Sequence, residues 1–133
     1  MKKLICYSLW GDNPRYTKGA IRNAELAKLI YPGWTCRFYT GNCVPTGIMD
    51  SLRSFDNVEI VDMGVVGDWT GMFWRFSAAD DKDVEVMLSR DTDSRLTLRE
   101  KYAVDEWLGS RLNFHIMRDH PYHSTEILGG MWG

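Results

Sequence analysis

Two aspartates, Asp91 and Asp93, stand one residue apart directly after an apolar run at residues 84–88. The run has the length and composition of a buried strand, so both carboxylates are expected at that strand's carboxyl end. In an extended segment, side chains at i and i+2 point to the same side, which would let both carboxylates converge on one ion. Carboxylates suit Mg²⁺ and Mn²⁺, which often bind substrate phosphates at the same time. The spacing therefore predicts a divalent-cation site for a phosphate-bearing ligand.

The loop after the first apolar run combines small, aromatic and basic residues, namely Ser8, Leu9, Trp10, Gly11, Arg15 and Tyr16. A nucleotide base would stack on Trp10 or Tyr16, and Arg15 would meet a phosphate. The alternative is a turn whose aromatic rings only pack against the protein. This loop is the predicted nucleotide-binding element.

Arg75 lies among aromatic residues, where a guanidinium group is costly to bury unless it reaches a carboxylate or a phosphate. One interpretation is that Arg75 orients one of the two aspartates. The other is that its stem extends over apolar surface and its charged end reaches water.

The late part of the chain holds all three histidines, with His120 and His123 close to Asp119. Histidine is a common metal ligand and general acid or base, and this segment follows a predicted strand. His115 lies within that strand and is expected to face solvent. A glycine-rich stretch at residues 128–133 would let the backbone approach a ligand.

Strand-length apolar runs alternate with segments of helical periodicity, which is typical of an α/β fold with a mostly parallel sheet. The predicted strands are 4–9, 35–39, 58–61, 84–88 and 114–117. The predicted helices are 17–30, 45–55, 69–79 and 98–108, and the third should turn Met72, Phe73, Phe76 and Ala79 toward one face. In such a sheet, ligands bind at the carboxyl ends of the strands, where the residues above are expected.

The composition indicates one globular domain over residues 1–133, with 44% hydrophobic residues and 26% charged residues. A net charge of -2 argues against binding to nucleic acid or to an anionic membrane surface. No apolar run approaches the roughly 20 residues of a membrane span. The three cysteines, Cys6, Cys36 and Cys43, match no zinc spacing and are expected to be buried, inert thiols in a reducing cytoplasm.

The loop at 13–16, the aspartate motif at 89–95 and the stretch at 127–132 together resemble GT-A-fold glycosyltransferases. The likeness is to a subgroup of large DNA viruses and bacteria that includes the capsid-glycosylating enzymes of chlorella viruses, and it covers nearly the whole chain. It implies a three-layer, Rossmann-like nucleotide-diphospho-sugar transferase fold. Members are commonly longer than this chain, so a truncated form without the C-terminal acceptor half is one expectation.

The resemblance also implies roles for individual residues. Asp93 would bind Mn²⁺ or Mg²⁺, which bridges the donor diphosphate, and Asp91 would contact the ion through water or hold the ribose. Ser8 to Gly11 would line the base pocket and Tyr16 would stack nearby. Arg75 would pair with the aspartates or with the sugar.

The implied reaction moves a sugar from a UDP- or GDP-sugar to a glycan or glycoprotein acceptor. Asp119 and His123 are the candidates for a catalytic base. The implied location is the cytoplasm, which for a viral enzyme is that of the host.

Two other functions fit parts of the pattern. A haloacid-dehalogenase-type phosphotransferase also places two aspartates after an apolar strand, but it uses the first strand, and Arg95 stands where that family has Thr or Val. A non-catalytic module that binds a nucleotide or nucleotide-sugar needs the same binding loop without turnover. This module is the main alternative to the enzyme.

Overall fold

The computed structural model describes residues 1–133 and contains five strands, three α-helices and one long 3₁₀ helix. In chain order these are β1 (Lys2–Leu9), α1 (Pro14–Ile30), β2 (Thr35–Thr40), α2 (Thr46–Arg53), β3 (Val58–Asp62), the 3₁₀ helix (Trp69–Asp80), β4 (Val84–Arg90), α3 (Leu98–Gly109) and β5 (Met131–Trp132). The predicted α/β class is confirmed. None of the helices combines the length and apolar composition needed to cross a membrane.

The five strands form one sheet in the order β3-β2-β1-β4-β5. The first four strands are parallel, and β5 pairs antiparallel with β4, so the predicted mostly parallel sheet is confirmed. From β1 the chain builds outward to β3 and then crosses back to place β4 on the other side of β1. This reversal makes the carboxyl ends of β1 and β4 the topological switch point of the sheet, where ligands bind in open α/β folds.

Helices cover both faces of the sheet because successive strand side chains point to opposite sides. One face carries a core of 15 buried residues that includes Tyr7, Phe38 and Leu88, packed under the three α-helices. The opposite face carries a core of five, in which Leu4 and Cys6 meet Ala78 of the 3₁₀ helix. The sheet thus lies between a thick layer and a thin one.

The α-helices match the sequence predictions with small shifts at their ends. Helix α1 begins three residues earlier than predicted because Asn13 caps it, accepting a hydrogen bond from the Arg15 N–H at 3.0 Å, and Pro14 occupies the first turn. Helix α3 begins at a capping box formed by Thr97 and Glu100.

The fifth strand is not the predicted one. Residues 114–117 make only an isolated bridge, from Ile116 to Trp132, and the sheet's edge strand is instead β5 in the glycine-rich stretch. His115 and Gly133 exchange two backbone hydrogen bonds of 2.9 Å each. The prediction was wrong because β5 is only two residues long and depends on β4 as a pairing partner, which local composition does not reveal.

The predicted helix over 69–79 forms, but as a 3₁₀ helix rather than an α-helix. With 3.0 residues per turn, side chains at i and i+3 eclipse one another. Met72 therefore lies on one line of the helix with Trp69 and Arg75. Phe73 and Phe76 lie on a second line, together with Thr70. Of the expected single face of Met72, Phe73, Phe76 and Ala79, only Met72 lies apart from the others, and Phe73 is half exposed.

The cysteines are all unpaired. Cys6 and Cys36 are buried in β1 and β2, and burial raises the pKa of each thiol to about 12. Cys43 differs from the expectation because it is only partly buried. Its Sγ accepts a hydrogen bond from the Gly11 N–H at 3.1 Å and donates to the Val66 carbonyl at 2.8 Å, which links two loops beside the switch point.

Candidate functional site

A cavity of about 620 Å³ opens at the carboxyl ends of β1 and β4. Three segments line it: residues 8–13 with Tyr16, the row Trp69, Met72 and Arg75 of the 3₁₀ helix, and residues 91–93. The structure thus brings together the strand-one loop, Arg75 and the aspartate motif, which are far apart in sequence. The lining residues that were not expected from the sequence are Asp12, Asn13, Trp69 and Met72.

The aspartate motif forms a turn and is not extended. The chain turns at Thr92 and Asp93 directly after β4, and the Ser94 N–H donates to the Asp91 carbonyl at 3.3 Å. The expectation that Asp91 and Asp93 point to one side rested on extended backbone, which the turn replaces. Both aspartates nevertheless line the cavity.

Each aspartate of the motif pairs with a different arginine. Arg75 Nη1 lies 2.5 Å from Asp91 Oδ1, and Arg15 Nη2 lies 3.0 Å from Asp93 Oδ2. The Arg75 side chain is buried, whereas that of Arg15 is 69% exposed. The first pair is therefore a fixed part of the fold, and the second can separate at little cost because exposed ion pairs contribute only about 0–1 kcal/mol.

Arg75 connects the 3₁₀ helix to both central strands. Its Nη1 also donates to the Arg90 carbonyl at 2.7 Å, and its backbone N–H donates to Ser8 Oγ at 3.2 Å. Its buried Nε has no hydrogen-bond partner in the protein. The guanidinium group is thus buried against Asp91, and its end does not extend to water.

The glycine-rich stretch surrounds the Arg75–Asp91 pair. A Cβ on Gly130 would overlap the Asp91 carboxylate, and a Cβ on Gly129 would lie 3.1 Å from Arg75 Nη2. Ser89 Oγ holds this backbone by donating to the Gly129 carbonyl at 2.5 Å. The sequence predicted that these glycines let the backbone approach a ligand. In the structure they let the backbone approach the Arg75–Asp91 ion pair.

Helix α1 supports the aspartate turn from the other side. The fully buried Asn23 donates from Nδ2 to the Ser94 carbonyl at 2.7 Å and accepts from the Leu96 N–H at 3.1 Å. Gly19 packs directly on the Thr92 carbonyl, where a side chain would overlap it. Asn23 is a functional residue that the sequence expectations above omit, and the sequence signal for it is a lone Asn on the alanine-lined face of α1.

Trp10 is a fixed wall of the cavity. Its side chain lies against Gly41, Gly67 and Gly71, where added Cβ atoms would meet it at 3.1, 2.8 and 3.0 Å. Its ring packs edge-to-face on Trp74 with a centroid distance of 5.9 Å. The more exposed aromatic rings of the cavity are Tyr16 and Trp69.

The structure does not place Asp119 or His123 among the residues that line the cavity. Asp119 pairs with Arg99, with Oδ1 at 2.7 Å from Nη2, and its N–H donates to His123 Nδ1 at 3.0 Å. His120 instead accepts from the Tyr122 N–H. These residues form a separate polar cluster around a turn.

The donor set of the cavity fits a divalent cation that arrives with a phosphate ligand. No three His, Cys, Asp or Glu side chains converge in a group able to hold a metal. However, Mg²⁺ is usually bound through one or two carboxylates together with substrate phosphates and water. Asp93 and Asp91 supply two such carboxylates at the cavity wall.

The cavity thus combines aromatic surface, the carboxylates of Asp12, Asp91 and Asp93 and the Arg75 guanidinium group at the switch point of a parallel sheet. Arg15 is not a lining residue and reaches the site through its ion pair with Asp93. Aromatic rings suit a planar base, and carboxylates with arginines suit a phosphate group with its counter-ion. The chain matches no protein-family model, and no curated protein matches it in sequence.

Proposed function

We propose that this protein is a metal-dependent glycosyltransferase that uses a UDP- or GDP-sugar as donor and a glycan or glycoprotein as acceptor. The observation that supports this most is the meeting of Asp91, Asp93 and an aromatic wall in one cavity at the switch point. The strand order and the placement of this cavity are also compatible with a GT-A-like, Rossmann-like fold.

In the proposed complex with the donor, each part of the cavity has a separate role. Trp10 and Tyr16 border the space for the base. Asp93, with Asp91, would hold Mn²⁺ or Mg²⁺, and Arg15 would move from Asp93 to a phosphate oxygen. When bound, the ion stabilises the negative charge that develops on the departing nucleoside diphosphate.

Asp91 keeps its place throughout because its partner is buried. Removing one member of a pair with a buried charge leaves the other uncompensated, which is strongly destabilising. Arg75 therefore acts as a positioning residue for Asp91, and Arg15 as an exchangeable partner of Asp93. This division lets the cavity accept a charged ligand without rearranging the sheet.

The experiment measures Mn²⁺-dependent hydrolysis of UDP- and GDP-sugars by the wild type, Asp93→Ala and the control Asp50→Ala. Asp50 is an exposed aspartate on α2, away from the cavity. We expect turnover in the wild type and control, and a loss of about 100-fold or more in Asp93→Ala, the range typical of removing an electrostatic catalytic group. Equal turnover in all three proteins would contradict the proposal.

A second candidate, a non-catalytic nucleotide-binding module, is favoured by one observation: both aspartates already have arginine partners. The two candidates differ in thermal shift. The enzyme should be stabilised by UDP or GDP only with Mn²⁺ present. Equal stabilisation without the ion, combined with no turnover, would favour the module.

A further inference from the structure

Four aromatic rings form a continuous row that starts at the cavity. The row consists of Trp69, Phe73, Phe76 and Trp132, with successive ring centroids 6.4, 5.9 and 5.4 Å apart. Trp69 lines the cavity, and Trp132 lies in the edge strand β5. The row therefore runs across the surface from the candidate donor site to the edge of the sheet.

The half of this aromatic row that is nearer to the cavity is open to solvent. Trp69 is 69% exposed and Phe73 is 52% exposed, and the neighbouring Val65, Val66 and Met72 are exposed as well. The three-residue period of the 3₁₀ helix keeps Phe73 exposed, since it places Phe73 with Thr70 and Phe76 on a line of the helix separate from the cavity-lining Trp69, Met72 and Arg75. Contiguous exposed apolar surface beside a cleft commonly marks a binding site.

The exposed charge on the 3₁₀ helix and its N-cap is acidic. The exposed charged residues of the helix and its cap are the acidic Asp68 and Asp80, and the one basic residue, Arg75, is buried. A hydrogen bond from Thr70 lowers the pKa of Asp68, which keeps that carboxylate ionised. This charge favours a neutral ligand over nucleic acid or anionic lipid, and the hydroxyl groups of such a ligand would find acceptors at the Trp69 end of the helix.

We propose that the aromatic row binds a neutral saccharide chain and serves as the acceptor site, an inference that rests on the proposed function. The C–H faces of sugar rings pack on aromatic rings, and sugar hydroxyl groups would donate to Asp68 and Thr70, which are hydrogen-bonded to each other at the Trp69 end of the helix. A saccharide on the row has one end at Trp69. That end faces the cavity that holds Asp91 and Asp93.

The test measures binding of cellohexaose, maltohexaose and chitohexaose by calorimetry to the wild type, Phe73→Ala and Tyr102→Ala. Tyr102 is a matched control because it is 67% exposed and lies on α3, on the other face of the sheet. We expect at least one hexasaccharide to bind the wild type and Tyr102→Ala alike, and Phe73→Ala to bind about two- to tenfold more weakly. Donor-sugar hydrolysis should stay unchanged in Phe73→Ala because Phe73 does not line the cavity.

Three outcomes would overturn the inference. They are no binding of any hexasaccharide, equal binding by Phe73→Ala, and a concentration-dependent dimer of the wild type that Phe73→Ala abolishes. The last outcome would mean that a second copy of the chain covers the row. Saccharide binding without UDP or GDP binding would instead reject the proposed function and leave the saccharide surface standing.

Discussion

At the scale of single residues, Asp91 is held more firmly than its partner in the motif. Arg75 binds its carboxylate, the backbone of Gly130 lies against it, and Asn23 supports the turn that follows it. Asp93 has only the exposed Arg15 as an ion-pair partner. The two aspartates therefore differ: Asp91 is held in one position, whereas Asp93 can exchange its arginine partner for a ligand.

Gly130→Ala tests this arrangement. The added methyl group would overlap the Asp91 carboxylate, so Asp91 must move away from Arg75, which leaves a buried guanidinium group without its partner. We expect a loss of about 1–3 kcal/mol in the free energy of unfolding, measured by urea denaturation. Gly47→Ala in α2 is the control, since its added Cβ meets nothing within 4 Å. Equal stability of the two variants would show that Asp91 is not confined in this way.

The sequence identified Asp91, Asp93 and Arg75 because charged residues beside apolar runs are conspicuous. It did not identify Trp69 and Met72 as lining residues. Both residues face the cavity because the 3₁₀ helix has three residues per turn. In an α-helix, Trp69, Met72 and Arg75 would point in different directions and would not all face the cavity. Packing of Gly71 against Trp10 accompanies that tighter winding, and such a tertiary contact leaves little trace in local sequence.

At the scale of elements, the edge of the sheet joins β5 to the segment around His115. The His115 ring stacks on Trp107 at 5.3 Å, and its buried Nε2 has no hydrogen-bond partner in the protein. Burial, with a smaller effect of the nearby Arg90 charge, lowers the pKa of His115 below its usual 6.5. The folded protein therefore favours the neutral imidazole at this edge.

Stability should consequently fall as the pH decreases from 7 to 5. The unfolded chain takes up a proton on His115 near pH 6.5, while the folded protein, with its lower pKa, takes it up only at lower pH. His115→Phe should reduce this slope in melting temperature, and His120→Phe, at an exposed histidine, should not. Carboxylates with a lowered pKa, such as Glu59, lose their contribution only as the pH falls below their ordinary pKa of 4.5, outside this range. Identical slopes in all three proteins would contradict the role of His115.

Strands β1 to β4 and helices α1, α2 and α3 were predictable because long apolar runs and helical periodicity are strong local signals. Strand β5 was not, because two residues carry no period and their strand geometry comes from β4. The turn at Thr92 was also missed, since an aspartate pair after a strand reads equally well as extended backbone.

At the scale of the whole molecule, the two faces of the sheet differ in how much apolar surface they bury. Fifteen core residues lie under the α-helices and five under the 3₁₀ helix. Residues 110–130 add little regular structure. The candidate cavity therefore has one firm wall, made by β1 and α1, and one wall that rests on the thinner layer.

Hydrogen exchange should reveal this difference. We expect the slowest amide exchange in β1 and β2, at the centre of the sheet, faster exchange in the 3₁₀ helix, and the fastest in residues 110–130, because opening free energies follow buried apolar contacts. Mass spectrometry of peptides from a time course measures this order. Protection of the 3₁₀ helix equal to that of β1 would show that both faces open together.

The three-residue winding of the segment Trp69–Asp80 has a consequence for how such a protein can change over generations. Inserting or deleting one residue there rotates everything beyond it by about 120°. Such an insertion or deletion before Arg75 would turn Arg75 away from Asp91 and would also remove Phe76 from the aromatic row. The length of this segment is therefore constrained by two surfaces at once, because Trp69 belongs to both the cavity and the aromatic row.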